Sequence, residues 1–419
     1  MDYFRPRGAL RAFLSGSWLT AERVRGYCLL LLAIATVGLM AWVALSHHMV
    51  DRNGKPLGTD FSSFYAAGAL AREGGAAQAY DPVPHHGRQQ QTFGAATPYY
   101  AWQYPPIFLL VAAPLAALPY PAALALWQGA TLLLYLWVIG RIVRPIRPAV
   151  GPVWLLAALA FPAVFINLGH GQNGFLTAAL LGGAALMLPR RPLVAGVLFG
   201  LLAYKPQFAL VIPLALVAGS CWRSVAAAVL TVAALAVATT LAFGIAPWQA
   251  FATSMDTSRR VLLEAGDVGF EKLQSAFAAV RLLGGGIPLA YAAQALVSGL
   301  VIASIAWAFR TLRDDGQKAA LLLVGTLLAS PHVLDYDLMV LGPAIAFAAT
   351  SGFARGFRAG EISLLAAAWT VPLVARAVAG ISAVPLGLLV VGGLYALLLR
   401  RATTEHTGAA PCKQRMASA

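Results

Sequence analysis

A carboxylate, Asp60, stands near the start of a polar segment, in the stretch Leu57-Gly58-Thr59-Asp60-Phe61-Ser62-Ser63-Phe64-Tyr65. A carboxylate there is a candidate general base, provided it has hydrogen-bond reach of a substrate proton and a workable pKa. The plainer reading is an N-cap for a helix starting at Phe61, where the helix dipole would keep Asp60 ionised and lower its basicity. Lys205 stands between two apolar runs with only Tyr204, Pro206 and Gln207 as polar or helix-breaking company. An ionisable group at membrane depth costs about 2.5–3.5 kcal/mol on insertion scales, which makes Lys205 a candidate for binding a lipid phosphate. Snorkelling to the interface is the alternative. His332, Asp335 and Asp337 form the densest ionisable cluster, at a helix start. Capping accounts for one of those carboxylates, and the spacing matches no strong metal motif, although His and carboxylates are metal ligands in general. His170, Gln172 and Asn173 fall between two apolar runs, as an ordinary polar turn or as partners for a ligand's hydroxyls. Arg259 and Arg260 either pair with phosphate or face anionic headgroups. Tyr99, Tyr100, Trp102 and Tyr104 read as an interfacial aromatic belt, with sugar stacking as the alternative.

The elements that must position these residues are membrane helices. Of 419 residues, 59% are hydrophobic and only 11% charged, and the mean hydropathy is +0.73. A soluble domain carries about 25% charged residues, so this is the composition of a polytopic membrane protein. The net charge is +14. In a soluble chain that would point to nucleic acid, but here the basic residues flank apolar runs and set orientation instead. The run after Arg25 is long enough to span, and no small-residue site clearly follows it, which argues against a cleavable signal peptide. Cys28, Cys221 and Cys412 lie outside the long polar loops, so neither a disulfide framework nor a metal cluster is expected.

Apolar runs fall near 27–46, 121–140, 152–168, 173–188, 193–203, 207–218, 222–243, 289–309, 319–330, 336–350, 362–379 and 383–399. The shorter run 106–118, bracketed by prolines, is expected to dip in and return. That gives about twelve crossings with both termini inside, and puts 20 of the 30 basic residues on the inner side, as the positive-inside rule requires. If 106–118 crossed fully, the Arg141, Arg144 and Arg147 cluster would move outside and the bias would weaken. The preferred topology places every polar island outside, in loops 47–103 and 245–288 and around 169–173, 204–207 and 330–337. A short amphipathic helix is expected at 61–73. The expected organisation is an N-terminal cytoplasmic segment (1–26), one transmembrane domain (27–400) and a cytoplasmic tail without regular structure (401–419). Polar groups gathered on one face fit chemistry at one membrane surface.

Neither a phosphate-binding Gly-rich loop, a dinucleotide fingerprint nor a Gly-x-Ser-x-Gly motif is present. The fuel is expected to be a membrane-borne lipid rather than a cytosolic nucleotide, with no cofactor and no metal. Three other readings stay open: a lipid or sugar flippase or transporter, a non-enzymatic scaffold, and a ligase joining lipid-linked glycans. A flippase predicts internal repeats and midplane polar groups, neither of which the sequence shows.

The order of the islands resembles the GT-C class of polytopic glycosyltransferases, specifically family 87, which includes polyprenyl-phosphate-mannose-dependent mannosyltransferases. The stretches that carry the resemblance are Asp60–Gly68, Ala79-Tyr80-Asp81-Pro82, Tyr104-Pro105-Pro106, Gly171-Gln172-Asn173, Gly200–Pro206 and Ser330-Pro331-His332. They span roughly 57–340. The chain has Asp335-Tyr336-Asp337 where the mannosyltransferase form has Trp-x-His-His, which leaves the sugar and the acceptor open. The resemblance implies an all-α GT-C-like fold in a bacterial inner membrane and a polyprenyl-phosphate sugar donor. It also implies a lipid or glycan acceptor and a site on the outer, periplasmic face. It makes Asp60 the base of an inverting transfer, with Lys205, Arg259 and Arg260 on the donor phosphate. His170, Gln172, Asn173, Tyr104, His332, Asp335 and Asp337 would line the sugar and acceptor site.

Overall fold

A computed structural model describes residues 6–406. The residues before 6, with Arg5, and those from 407 on, with Cys412 and most of the expected tail, lie outside the described residues. The described chain is helical, with isolated β-bridges only. Every apolar run becomes a helix or a broken pair of helices, because a backbone in lipid must satisfy its hydrogen bonds internally.

Among the described residues, seven helices are long and apolar enough to cross a membrane: Ala21–Ala44, Tyr120–Ile142, Trp222–Phe243, Ile287–Thr311, Asp335–Arg355, Glu361–Ser382 and Leu386–Thr404. Val153–Leu159 and Pro162–His170, bent by 41°, make an eighth if counted as one span. The expectation of twelve full crossings therefore meets seven or eight. The runs at 173–188, 193–203 and 207–218 become Gly174–Met187, Pro192–Leu201 and Ile212–Ala218, of 14, 10 and 7 residues, and the last two carry a proline in the first turn. The run at 319–330 becomes Asp315–Ala329, with 15 residues. Ten helical residues rise about 15 Å, half the roughly 30 Å of a bilayer core.

Gly174–Met187 and Asp315–Ala329 are buried almost all round and form the centre of the molecule. Small residues allow the close approach expected between helices in lipid. A Cβ on Gly182 would lie 2.7 Å from the Pro343 ring, and one on Gly196 would lie 2.3 Å from the Ser224 carbonyl oxygen. Trp222–Phe243, by contrast, exposes Val229, Leu230, Val237 and Leu241, as a lipid-facing helix must.

The first long loop folds into helix Thr59–Arg72, a 3-10 turn at Ala76–Tyr80 and helix Pro82–Phe93. The first of these is the helix expected at 61–73. Residues 106–118 form Pro106–Phe108 and Leu109–Leu115, too short to cross. Thr59–Arg72 packs on the latter through Gly68, where a Cβ would meet the Ala112 carbonyl oxygen at 2.1 Å. Loop 245–288 carries helix Ala246–Ser258, the π-helical turn Arg259–Ala265 and helix Ala276–Leu282.

Ionic groups collect at two ends. At one, Arg401 grips both oxygens of Glu361 at 2.8 Å, and Arg355 meets Asp314 at 3.0 Å. At the other end of the same Glu361–Ser382 helix, Arg376 approaches Asp335. Fifteen residues separate Glu361 from Arg376, about 22 Å along a helix axis.

Candidate active site

Helix Thr59–Arg72 begins at a left-handed Gly58 (φ +71°), which is its N-cap and offers no side chain. Asp60 is the second helical residue, so the capping role considered for it does not hold, and its carboxylate is directed elsewhere. One helix face holds the neighbouring segments in place. Tyr120 donates to the Leu57 and Gly58 carbonyls (2.6 and 3.1 Å), and Trp127, two turns on, donates from Nε1 to the Gly171 carbonyl at 3.1 Å. Gln128 and Asn167 exchange bonds, and Asn167 Oδ1 accepts from the Gly174 amide at 2.7 Å. Residues seven apart share a helix face, so Tyr120 and Trp127 bring the 57–60 and 170–173 islands together.

The result is a small network. Gln172 Nε2 donates to Asp60 Oδ2 at 3.1 Å, and Tyr104 donates its hydroxyl to Gln172 Oε1 at 3.0 Å. Thr59 Oγ1 lies 2.8 Å from His170 Nδ1, which is 3.9 Å from Asp60 Oδ1. The side chain of Asp60 keeps 27% of its surface exposed, so a substrate hydroxyl can reach it. Burial and the Asp60 charge push the Tyr104 phenol well above its ordinary pKa, which keeps it a proton donor to Gln172. Asn173 is fully buried, beside the Tyr104 hydroxyl.

The third island joins through Gly174. A Cβ there would lie 2.7 Å from the Tyr336 carbonyl oxygen, so only glycine lets the turn Asp335–Val340 close on helix Gly174–Met187. Lys205 and Asp337 form a buried ion pair, and Lys205 Nζ also lies 5.4 Å from the Tyr336 ring centroid and 5.7 Å from that of Phe208. Lys205 therefore does not snorkel. Asp337 also accepts from the Leu334 amide at 3.1 Å, which makes it the one carboxylate that capping explains. Asp335 accepts from the Tyr336 amide at 2.9 Å and lies 3.9 Å from Arg376 Nη1. The Tyr336 ring is 6.1 Å from that of His170. His332 lies within electrostatic reach of Asp337 and Lys205; burial lowers its pKa, Asp337 opposes that and Lys205 adds to it.

One expectation is corrected. Trp102 and Tyr104 do not form a lipid-facing belt: Trp102 is 3% exposed, and both pack around Phe64 and Phe108, with Phe108 stacked on Tyr204 at 5.0 Å. Trp102 and Tyr104 fill the gap between helix Thr59–Arg72 and the short Pro106–Leu115 segment, whereas Tyr99 stays 39% exposed against His85 and His86. Arg259 and Arg260 do not join the network. They pair with Asp256 at 2.7 and 2.8 Å, and Arg259 also meets Glu264 at 3.2 Å. Two residues went unnoticed in the sequence. Arg376, inside an apolar run, carried the ordinary signal of an intramembrane ionisable group. Tyr336, between Asp335 and Asp337, carried none. Among the described residues, no group of three or more His, Cys, Asp or Glu is placed to hold a metal ion.

The fold and site define a multi-pass helical membrane protein with a carboxylate–amide–imidazole network near one end of its bundle. Residues 102–331, more than half of the chain, match the model of glycosyltransferase family 87. The chain belongs to that family, and is accordingly a membrane glycosyltransferase. The match begins after Asp60 and ends before Asp335. No curated protein and no solved structure matches the chain.

Proposed function

We propose that the protein transfers a sugar from a polyprenyl-phosphate carrier to a hydroxyl of a lipid or glycan acceptor, with Asp60 as general base. The observation that carries this is the bond from Gln172 Nε2 to Asp60 Oδ2. It fixes one carboxylate oxygen and leaves the other, which accepts only a long 3.4 Å bond from Thr59 Oγ1, able to take a proton beside His170. The acceptor oxygen attacks the anomeric carbon as its proton passes to Asp60, and the carbon–oxygen bond to phosphate breaks with the electron pair going to phosphate. One displacement inverts the anomeric configuration. The phosphodiester monoanion leaves as a monoester dianion, so cations near it favour the transition state over the ground state.

Within this account Lys205, paired with Asp337, supports the Tyr336 ring, and His170, Tyr104 and His332, with Asn173 behind them, line the sugar position. The reaction takes place on the outer, periplasmic face of a bacterial inner membrane. Arg23 and Arg25 at the start of the span Ala21–Ala44 support this, since they favour a cytoplasmic N-terminus and deliver helix Thr59–Arg72 outside. The short apolar helices complete further crossings, lined by protein rather than lipid. The test is sugar transfer by purified protein in vesicles, given a panel of polyprenyl-phosphate sugars and extracted membrane acceptors. Product from at least one lipid-phosphate donor is expected. Transfer only from a nucleotide sugar, or lipid movement without transfer, would contradict the proposal.

A further inference from the structure

Lys205 and Arg376 are both cations near the site, and their circumstances differ. Lys205 is 3% exposed, its ammonium is committed to Asp337, and two aromatic rings cover it. A phosphate arriving there would have to displace a buried carboxylate and leave it unpaired. Arg376 is 49% exposed. Its only partner among the described residues is Asp335, at 3.9 Å, beyond hydrogen-bond length. Its guanidinium thus has its planar fork of donors unfilled.

Position adds to this. The helix Glu361–Ser382 that carries Arg376 packs against Pro162–His170, which ends in the His170 turn, and against the turn Asp335–Val340. Asp335 lies within electrostatic reach of Arg376, His170 and Asp60 together. Arg376 therefore borders the same polar site as the proposed base, through Asp335. An arginine in an apolar span is costly to keep, and the fold does not recover that cost by a close ion pair.

We infer that Arg376, rather than Lys205, takes the phosphate of the lipid-linked donor. This rests on the transfer reaction proposed above. The leaving phosphate gains one negative charge as the bond to the anomeric carbon breaks, and a guanidinium can meet two of its oxygens at once. Asp335 holds Arg376 in place until the phosphate outcompetes it. Lys205 and Asp337 then serve as a neutral, buried support for Tyr336.

The test separates binding from transfer. Wild type, Arg376→Gln and Arg376→Lys are placed in vesicles, and binding of a short-chain polyprenyl phosphate is measured beside the matching polyprenol and inorganic phosphate. Arg376→Gln should weaken polyprenyl phosphate binding by about tenfold or more, leave polyprenol binding unchanged, and Arg376→Lys should fall between, since a lysine keeps the charge but loses the fork. Thermal unfolding of the variants should match wild type, since Arg376 makes no close bond. Equal polyprenyl phosphate binding by wild type and Arg376→Gln overturns the assignment, as does equal loss of polyprenol binding. Binding of inorganic phosphate alone, with no preference for the lipid, also overturns it. The sugar-transfer assay is read separately: a wild type that binds lipid phosphate through Arg376 but transfers nothing sinks the proposed reaction and not the binding site.

Discussion

Gly171 faces Gly58 so closely that a Cβ on Gly171 would lie 3.2 Å from the Gly58 Cα and 2.5 Å from the Phe61 Cβ. Both glycines are left-handed, with φ +66° and +71°. This contact sets how near the Gln172 amide comes to Asp60. Gly171→Ala should strain the turn and push the two islands apart, at a cost of about 1–3 kcal/mol. Transfer activity is expected to fall more than the melting temperature alone explains. A fully active Gly171→Ala protein would show that the spacing is unimportant.

The Lys205–Asp337 pair is 3% and 2% exposed. Removing one partner leaves an uncompensated buried charge, which typically costs about 3–5 kcal/mol. Lys205→Met and Asp337→Leu should each lower stability in detergent by an amount of that order, and the double variant should regain much of the loss. Additive losses in the double variant would mean that the two charges do not support one another.

Acid should destabilise the first loop through His85. Burial lowers its pKa from 6.5 to about 4, the Ser63 carbonyl opposes the shift, and His86 adds to it. The native state therefore binds this proton later than the unfolded chain. Stability is unaffected above pH 6.5 and is lost as pH falls from there towards 4, by up to about 3 kcal/mol at 1.36 kcal/mol per unit. His85→Gln, which can still donate to the Ser63 carbonyl, should flatten that part of the unfolding profile against pH. An unchanged slope would remove His85 as its source.

Arg259 and Arg260 are 51% and 69% exposed and paired with carboxylates of their own segment. Substituting both with Ala should change the transfer rate by no more than about twofold, as exposed pairs contribute little. A loss beyond about tenfold would return them to the donor site.

The polar islands were legible in the sequence because polar residues are scarce in this chain, and Asp60, His170, Gln172 and Tyr104 do converge. The cap reading of Asp60 failed because Gly58, not a side chain, starts the helix. Lys205 was visible as costly, but its partner lies 132 residues away, and apolar periodicity carries no such pairing. Counting apolar runs gives twelve crossings, of which helices of full length account for seven or eight among the described residues, since hydropathy does not register where a run is broken into shorter helices. Arg259 and Arg260 looked free, although Asp256 three and four residues earlier was a readable helical partner for each. Arg376, a charge inside an apolar run, was as readable as Lys205 on the same physical ground.

The central claim is that Asp60 takes the acceptor's proton, and Asp60→Asn tests it most directly. Asparagine preserves the shape and can still meet Gln172, but it cannot accept a proton. In vesicles supplied with a working lipid-phosphate donor and acceptor, the variant should bind donor as wild type does and transfer slower by about 100-fold or more, the usual contribution of a positioned base. Transfer at the wild-type rate would contradict the account and move the base to another carboxylate of the site.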